Sequence, residues 1–161
     1  MGKHLEIERR FLLKRMPVAN YSSMVDISQC YVDEENGEFV RYRGQLGKGG
    51  ATYFRTIKKD IEGSLVREEN EEVIEKEEFI KRTQFSNKLI SKKRHTIQNG
   101  DDTWEIDNFT FIHLIIAEIE MPSKDYEFEI PEEIKKEIIM EITNIPEFNN
   151  SQLADGFERF S

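Results

Sequence analysis

Residues 114–121 run Leu-Ile-Ile-Ala-Glu-Ile-Glu-Met, and their alternation decides the fold. Ile115, Ala117, Ile119 and Met121 fall on one face of an extended chain, and Glu118 and Glu120 fall on the other. An apolar face and an acidic face divided in this way describe a strand with a buried side and a charged side. Outward from this stretch the same period of two recurs. In 5–13, Leu5, Ile7, Arg9 and Phe11 oppose Glu6, Glu8 and Arg10. In 38–46, Val40 and Tyr42 oppose Arg41 and Arg43, and in 52–58, Tyr53, Arg55 and Ile57 oppose Phe54, Thr56 and Lys58. Further strands are expected at 64–73, 88–96 and 102–110. Turn-forming clusters at Asn36-Gly37, Gly47 to Gly50, Glu62-Gly63 and Asn99-Gly100-Asp101 separate them, which predicts antiparallel hairpins.

Helices interrupt the strands late. The spacing of Ile74, Phe79 and Ile80 predicts a helix over 74–85. Pro131, Glu132 and Glu133 make a good first turn, and the stripe Ile134, Ile138, Ile139 and Ile142 extends that helix over 131–143. A short third helix is expected from Ser151 to about Arg159. The class is therefore α+β and strand-dominated, with one domain over 1–161.

Composition sets the outer bounds. The 161 residues are 37% hydrophobic and 34% charged, with 11 Phe spread along the chain, so a folded core is expected rather than disorder. Lys and Arg number 23 against 32 Asp and Glu, a net charge of −9. That balance argues against a nucleic-acid-coating surface, which works by neutralising phosphates. The single Cys30 excludes a disulfide framework and a multi-Cys zinc site. No apolar run has the ~18 residues of a membrane helix, and no signal-peptide core opens the chain. A soluble, reduced, cytoplasmic protein, monomer or homodimer, is the expectation.

The charged faces carry the chemistry. Besides Glu6 and Glu8, they present Arg67, Glu69 and Glu71, then Lys92 and Arg94, then Glu105 and Asp107. An antiparallel sheet whose polar face simply meets water is the ordinary reading. Against it, charges occupy successive i, i+2 positions, and the pairs Glu6/Glu8, Glu69/Glu71 and Glu118/Glu120 repel unless a cation lies between them. Hard carboxylate oxygens suit Mg²⁺ or Mn²⁺ better than zinc. The pairs Arg41/Arg43 and Lys92/Arg94 call for an anion, with Arg binding phosphate oxygens through its fork and Lys as a point charge. If the sheet closes into a barrel, both sets share one interior, and a metal–polyphosphate complex is the ligand that needs both. His4, His95 and His113 form no metal-ligand spacing.

In order along the chain, Glu6-Ile7-Glu8-Arg9-Arg10, Arg41-Tyr42-Arg43, Thr56-Ile57-Lys58, Arg67-x-Glu69-x-Glu71, Lys92-x-Arg94, Glu105-Ile106-Asp107, Glu118-Ile119-Glu120 and Phe148-Asn149-Asn150-Ser151-Gln152-Leu153-Ala154 resemble the motifs of the CYTH superfamily. These proteins are also called triphosphate tunnel metalloenzymes. They include class IV adenylate cyclases, thiamine triphosphatases, inorganic tripolyphosphatases and, more distantly, fungal RNA triphosphatases. The resemblance covers nearly the whole chain. It implies an eight-stranded antiparallel β-barrel with a charged lumen and helices packed outside. It also implies Glu6, Glu8, Glu118 and Glu120 as leading metal ligands, and Arg10, Arg41, Arg43, Lys58, Arg67, Lys92 and Arg94 as triphosphate contacts. Glu69, Glu71, Glu105 and Asp107 would ligate a second metal, position water or hold the basic side chains. Catalysis would rest on Glu6, Glu8, Arg10 and Lys92, with Tyr31 either on a strand near Lys58 and tuning it or serving only as a barrel-wall aromatic. The chain departs from the motifs at Arg10, where the family has Lys, and at Asn149, where it has a basic residue. The bond that such a base would make to phosphate is either missing or supplied by Lys48, Lys59 or Lys124.

The implied activity is Mg²⁺- or Mn²⁺-dependent hydrolysis of inorganic tripolyphosphate or an organic triphosphate. Other readings are a class IV-type adenylate cyclase, a thiamine triphosphatase, or a non-catalytic polyphosphate- or nucleotide-binding module. All of them expect a small-molecule triphosphate as partner, with no nucleic acid and no membrane.

Overall fold

In a computed structural model the strands curl into a closed antiparallel barrel; the structure describes residues 3–33, 38–61, 66–86, 88–110, 112–150 and 153. In chain order the elements are β1 (Lys3–Leu13), β2 (Ser23–Asp33), β3 (Phe39–Gly47), β4 (Gly50–Asp60), β5 (Val66–Ile74), α1 (Lys76–Thr83), β6 (Leu89–Asn99), β7 (Asp102–Phe109), β8 (Ile115–Glu120), α2 (Glu132–Lys135), β9 (Ile138–Glu141) and a 3₁₀ turn at Pro146–Phe148. The sheet order is β5-β4-β3-β2-β6-β7-β8-β1-β9, and a further β5–β1 pairing closes eight strands into a ring. Closure pairs β5 with the first half of β1, edges that an open sheet would leave free. β1 makes it possible by splitting its ladder. Lys3–Ile7 pair with β5, Glu8–Leu13 pair with β8, and Phe11–Leu13 also pair with β9.

The main apolar core lies outside the ring. Phe11, Leu13, Ile97, Trp104, Ile106, Ile115, Ala117, Ile119 and Ile134 form it, with Phe128, Ile130 and Ile138 packed against them. The outward residues of β1, β6, β7 and β8 therefore meet the segment that carries α2. Trp104 is wholly buried, with Phe11 and Phe128 at ring-centroid distances of 5.9 and 5.6 Å. A second cluster, Ile90, Phe109, Leu114, Ile116 and Ile142, uses the opposite strand face and draws in Leu12, Ile145, Phe148 and Leu153. Because Ile116, Ile90 and Phe109 share parity with Glu118, Lys92 and Asp107, this cluster fills one end of the lumen. No helix among the described residues is long and apolar enough to cross a membrane.

Two expectations change. The helix predicted over 131–143 is one turn, Glu132–Lys135, after which the chain becomes β9. Isoleucines four apart fit a helical stripe, but β-branched residues also suit a strand, and β1 offers an open edge beyond its contact with β5. There Met140 pairs with Leu12 and Glu141 with Phe11, and Arg9 grips Glu141 with two bonds of 2.9 and 2.6 Å. A full strand, β2, also forms where the sequence marks only Tyr31 for one. The helix expected over Ser151–Arg159 falls, apart from Leu153, outside the described residues. The α1 helix matches its prediction and packs Phe79 on Tyr53, 5.0 Å between centroids, across Gly44.

Trp104→Ala should lower stability by about 3–5 kcal/mol, the usual cost of emptying a large aromatic site. Denaturant unfolding followed by far-UV circular dichroism reads this, and a loss under 1 kcal/mol would contradict the packing described.

Candidate active site

Register turns the charged faces into a lattice. Glu6 lies opposite Arg67, Glu8 opposite Glu120, and Arg10 opposite Glu118. Lys58 lies opposite Glu69, Arg94 opposite Asp107, and Glu105 opposite Glu118. The lumen holds a cavity of about 180 Å³ lined by Glu6, Glu8, Arg10, Tyr31, Phe39, Arg41, Arg43, Lys58, Arg67, Glu69, Glu71, Arg94, Glu105, Glu118, Glu120, Asn149 and Asn150. Among the described residues, seven carboxylates and six cations therefore share one small space. Of the predicted site residues only Lys92 and Asp107 do not line it. Lys48, Lys59 and Lys124 do not line it either and are exposed, so none of them replaces the base absent at Asn149.

Lys92 and Asp107 lie beneath the lining. Lys92 Nζ is 2.7 Å from Asp107 Oδ2, both side chains almost fully buried, with Phe109 below the ammonium at 5.4 Å. Asp107 also accepts two bonds from Arg94, at 2.8 and 2.9 Å. Arg94 goes on to Glu118 at 3.0 Å and Glu105 at 3.1 Å, and Arg10 reaches Glu118 at 3.4 Å. Burial opposes ionisation of Asp107, yet Arg94 and Lys92 hold its carboxyl well below the usual carboxylate range. Burial brings the Lys92 ammonium down to about 7 against the pull of Asp107.

On the other side of the lumen Lys58 lies 3.4 Å from both Glu6 and Glu69, and Arg41 lies 3.6 Å from Glu71. Burial would raise the Glu6 carboxyl, but Lys58, a hydrogen bond with Glu69, Arg67 and Arg41 bring it down to about 2. Glu69 moves the other way, raised by burial and by that same hydrogen bond, so a proton between the two belongs to Glu69. Glu69, Glu71, Glu105 and Asp107 thus all hold basic side chains. The tuning contact expected between Tyr31 and Lys58 is replaced by other partners: the Tyr31 hydroxyl accepts from Gln29 at 2.9 Å.

Two lining charges stand apart from this pairing. Neither Lys58 nor Arg10 comes within ion-pair distance of Glu8, and burial, then Glu118 and Glu6, push its carboxyl up to about 8. Arg43 has no carboxylate partner among the described residues; its Nε donates to the neutral Gln29 Oε1 at 2.8 Å. Burial, then Arg41 and Arg94, bring its guanidinium down to about 9. Among the described residues the lumen thus offers no cation at ion-pair distance from Glu8 and no carboxylate partner for Arg43. Among the described residues no three carboxylates are gathered into a ready-made metal cage. Residues 148–150 continue the wall, with Arg10 Nη1 donating to the Phe148 carbonyl at 2.7 Å and the Asn150 Oδ1 buried without a hydrogen-bond partner among the described residues.

An inorganic triphosphatase from Acetivibrio thermocellus is 30% identical to this chain over 157 residues, covering 96% of it and 94% of the relative. The chain belongs to the CYTH superfamily. Among solved structures, the inorganic triphosphatase NE1496 superposes on this CYTH chain with a TM-score of 0.63 at 26% identity, covering 92% of this chain and 93% of that one. A conserved hypothetical protein from Pyrococcus furiosus shares the fold, with a TM-score of 0.55 at 20% identity, covering 96% and 90%. No protein-family model matches the chain.

Gln29 is the site residue that a search for charge passes over in this CYTH lumen. It is wholly buried on the lumen face of β2, two residues from Tyr31, and that spacing on an alternating strand is the signal that would find it.

The Glu8 shift fixes a pH dependence. Between pH 4.5 and about 8 the folded state holds a proton on Glu8 that the unfolded chain releases, so this group lowers stability as pH rises through that window. In metal-free buffer Glu8→Gln should be more stable than wild type at pH 8, with the difference vanishing below about pH 4.5. Urea unfolding across pH measures it, and a difference that does not change with pH would refute the assignment.

Proposed function

We propose that this CYTH chain is a divalent-metal-dependent triphosphatase that cleaves inorganic tripolyphosphate inside the barrel. The observation that carries this reading is that one small charged cavity is lined both by Glu8, a carboxyl held protonated with no cation at bonding distance among the described residues, and by Arg43, a guanidinium with no carboxylate partner among them. A triphosphate with its cation supplies both missing partners. The similarity to two proteins named inorganic triphosphatase supports the same substrate.

Glu8, beside Glu118, Glu6 and its cross-strand partner Glu120, would hold the metal; their hard oxygens suit Mg²⁺ or Mn²⁺. When bound, such an ion neutralises negative charge on phosphate oxygens. The guanidinium forks of Arg10, Arg41, Arg43 and Arg94, with the Lys58 ammonium, would bind the remaining oxygens and keep the chain in line for attack. Water oxygen bonds to the terminal phosphorus and the anhydride P–O bond breaks. Pyrophosphate leaves, and a lumen carboxylate takes the water proton. Because the barrier is lowered by positioning and by charges already in place, the fixed ion pairs behind the lining matter as much as the lining.

With Mg²⁺ or Mn²⁺, wild type should release phosphate from tripolyphosphate, and Glu6→Ala, Glu8→Gln and Arg43→Met should each lower kcat/KM by roughly 10²–10³. Rates equal to wild type in all three would sink the proposal. Metal binding should also release protons at pH 7, because Glu8 must give up the one it holds. Calorimetry in buffers of different ionisation heat counts them, and a heat independent of buffer would show that Glu8 is not a ligand.

A further inference from the structure

Gln29 joins two lining residues without lining the cavity itself. Arg43 Nε donates to its Oε1 at 2.8 Å, and its Nε2 donates to the Tyr31 hydroxyl at 2.9 Å. Donor chemistry fixes this orientation. A guanidinium only donates, so the amide oxygen faces Arg43 and the NH₂ must face Tyr31. The Tyr31 oxygen therefore accepts, and the phenolic hydrogen is left for another acceptor. The cross-strand register holds the group together, since Gln29 pairs with Arg43 and Tyr31 with Arg41.

We propose that Gln29 is a positioning residue that makes the Tyr31 hydroxyl an obligate donor to a phosphoryl oxygen, while aiming the Arg43 fork at the same anion. The inference rests on the triphosphate reading of the cavity. It explains why a neutral amide occupies a wholly buried place behind a cation that has no carboxylate partner among the described residues. A carboxylate there would pair with Arg43 and draw the Tyr31 hydrogen to itself. An apolar side chain would leave the Arg43 Nε buried and unbonded. Only a group that accepts on one side and donates on the other leaves both lining residues ready for an anion.

Gln29→Glu keeps the shape and the Arg43 contact but reverses the Tyr31 hydrogen bond, so it separates orientation from packing. Tripolyphosphate hydrolysis with Mg²⁺ is measured for wild type, Gln29→Glu, Tyr31→Phe and the double variant. The expected result is a loss of at least tenfold in kcat/KM for Gln29→Glu, shrinking by about tenfold when Tyr31 is already Phe. An equal loss in both backgrounds, or no loss, overturns the proposal. Side-chain amide signals of Gln29, followed by ¹H–¹⁵N NMR in the ligand-free protein, should move in Tyr31→Phe, and unmoved signals also overturn it. If wild type releases no phosphate while those signals move, the triphosphate reading fails and the hydrogen-bond assignment stands.

Discussion

Taking charges out of water is the constraint on which the rest of this structure depends. Each buried carboxylate or ammonium is costly unless a partner of opposite sign meets it at close range. The barrel meets that requirement by register. Antiparallel pairing sets Lys58 across from Glu69 and Arg94 across from Asp107, so partners are delivered by the ladder rather than by long flexible side chains. The chain Lys92–Asp107–Arg94–Glu118–Arg10 links four strands through side chains alone. A slip of one residue in any of them would send that strand's charges outward and its apolar side chains inward.

A lumen filled in this way leaves the hydrophobic effect to act elsewhere. The largest apolar cluster sits between the outer wall and the segment carrying α2, and a smaller one stops one end of the ring. β9 connects the two regions. Its ladder with β1 and the Arg9–Glu141 clasp hold the outside, and the chain that follows turns Ile142, Ile145 and Phe148 into the end of the lumen. Fold stability and cavity shape therefore share one short segment.

The fold is legible wherever one face of a strand is charged and the other apolar. In β8 Glu118 and Glu120 point inward while Ile115, Ala117 and Ile119 pack outside, as the alternation states. β2 is obscure because its lumen face, Ile27, Gln29 and Tyr31, has no charge, so no contrast marks the period. The segment 131–143 misleads because isoleucines at 134, 138 and 142 satisfy a helix as well as a turn followed by a strand. Only the free edge of β1 decides between them, and that edge is a tertiary fact. Period two also gives a residue's face but not its depth. Lys92 and Arg94 look equivalent in sequence, yet one lies beneath the lining and the other in it.

The near-balance of the lining has a consequence for approach from solution. Counted formally and among the described residues, seven lining carboxylates against six cations account for a single unit of the net −9, and the Lys92–Asp107 pair adds nothing. The excess acid is therefore carried by the rest of the molecule. A polyanion nearing that shell is repelled over roughly 8 Å at physiological ionic strength, until it reaches the cations within. Capture of a triphosphate should for this reason quicken as salt is added, and a metal-chelated polyanion, carrying less charge, should be admitted faster than a bare one.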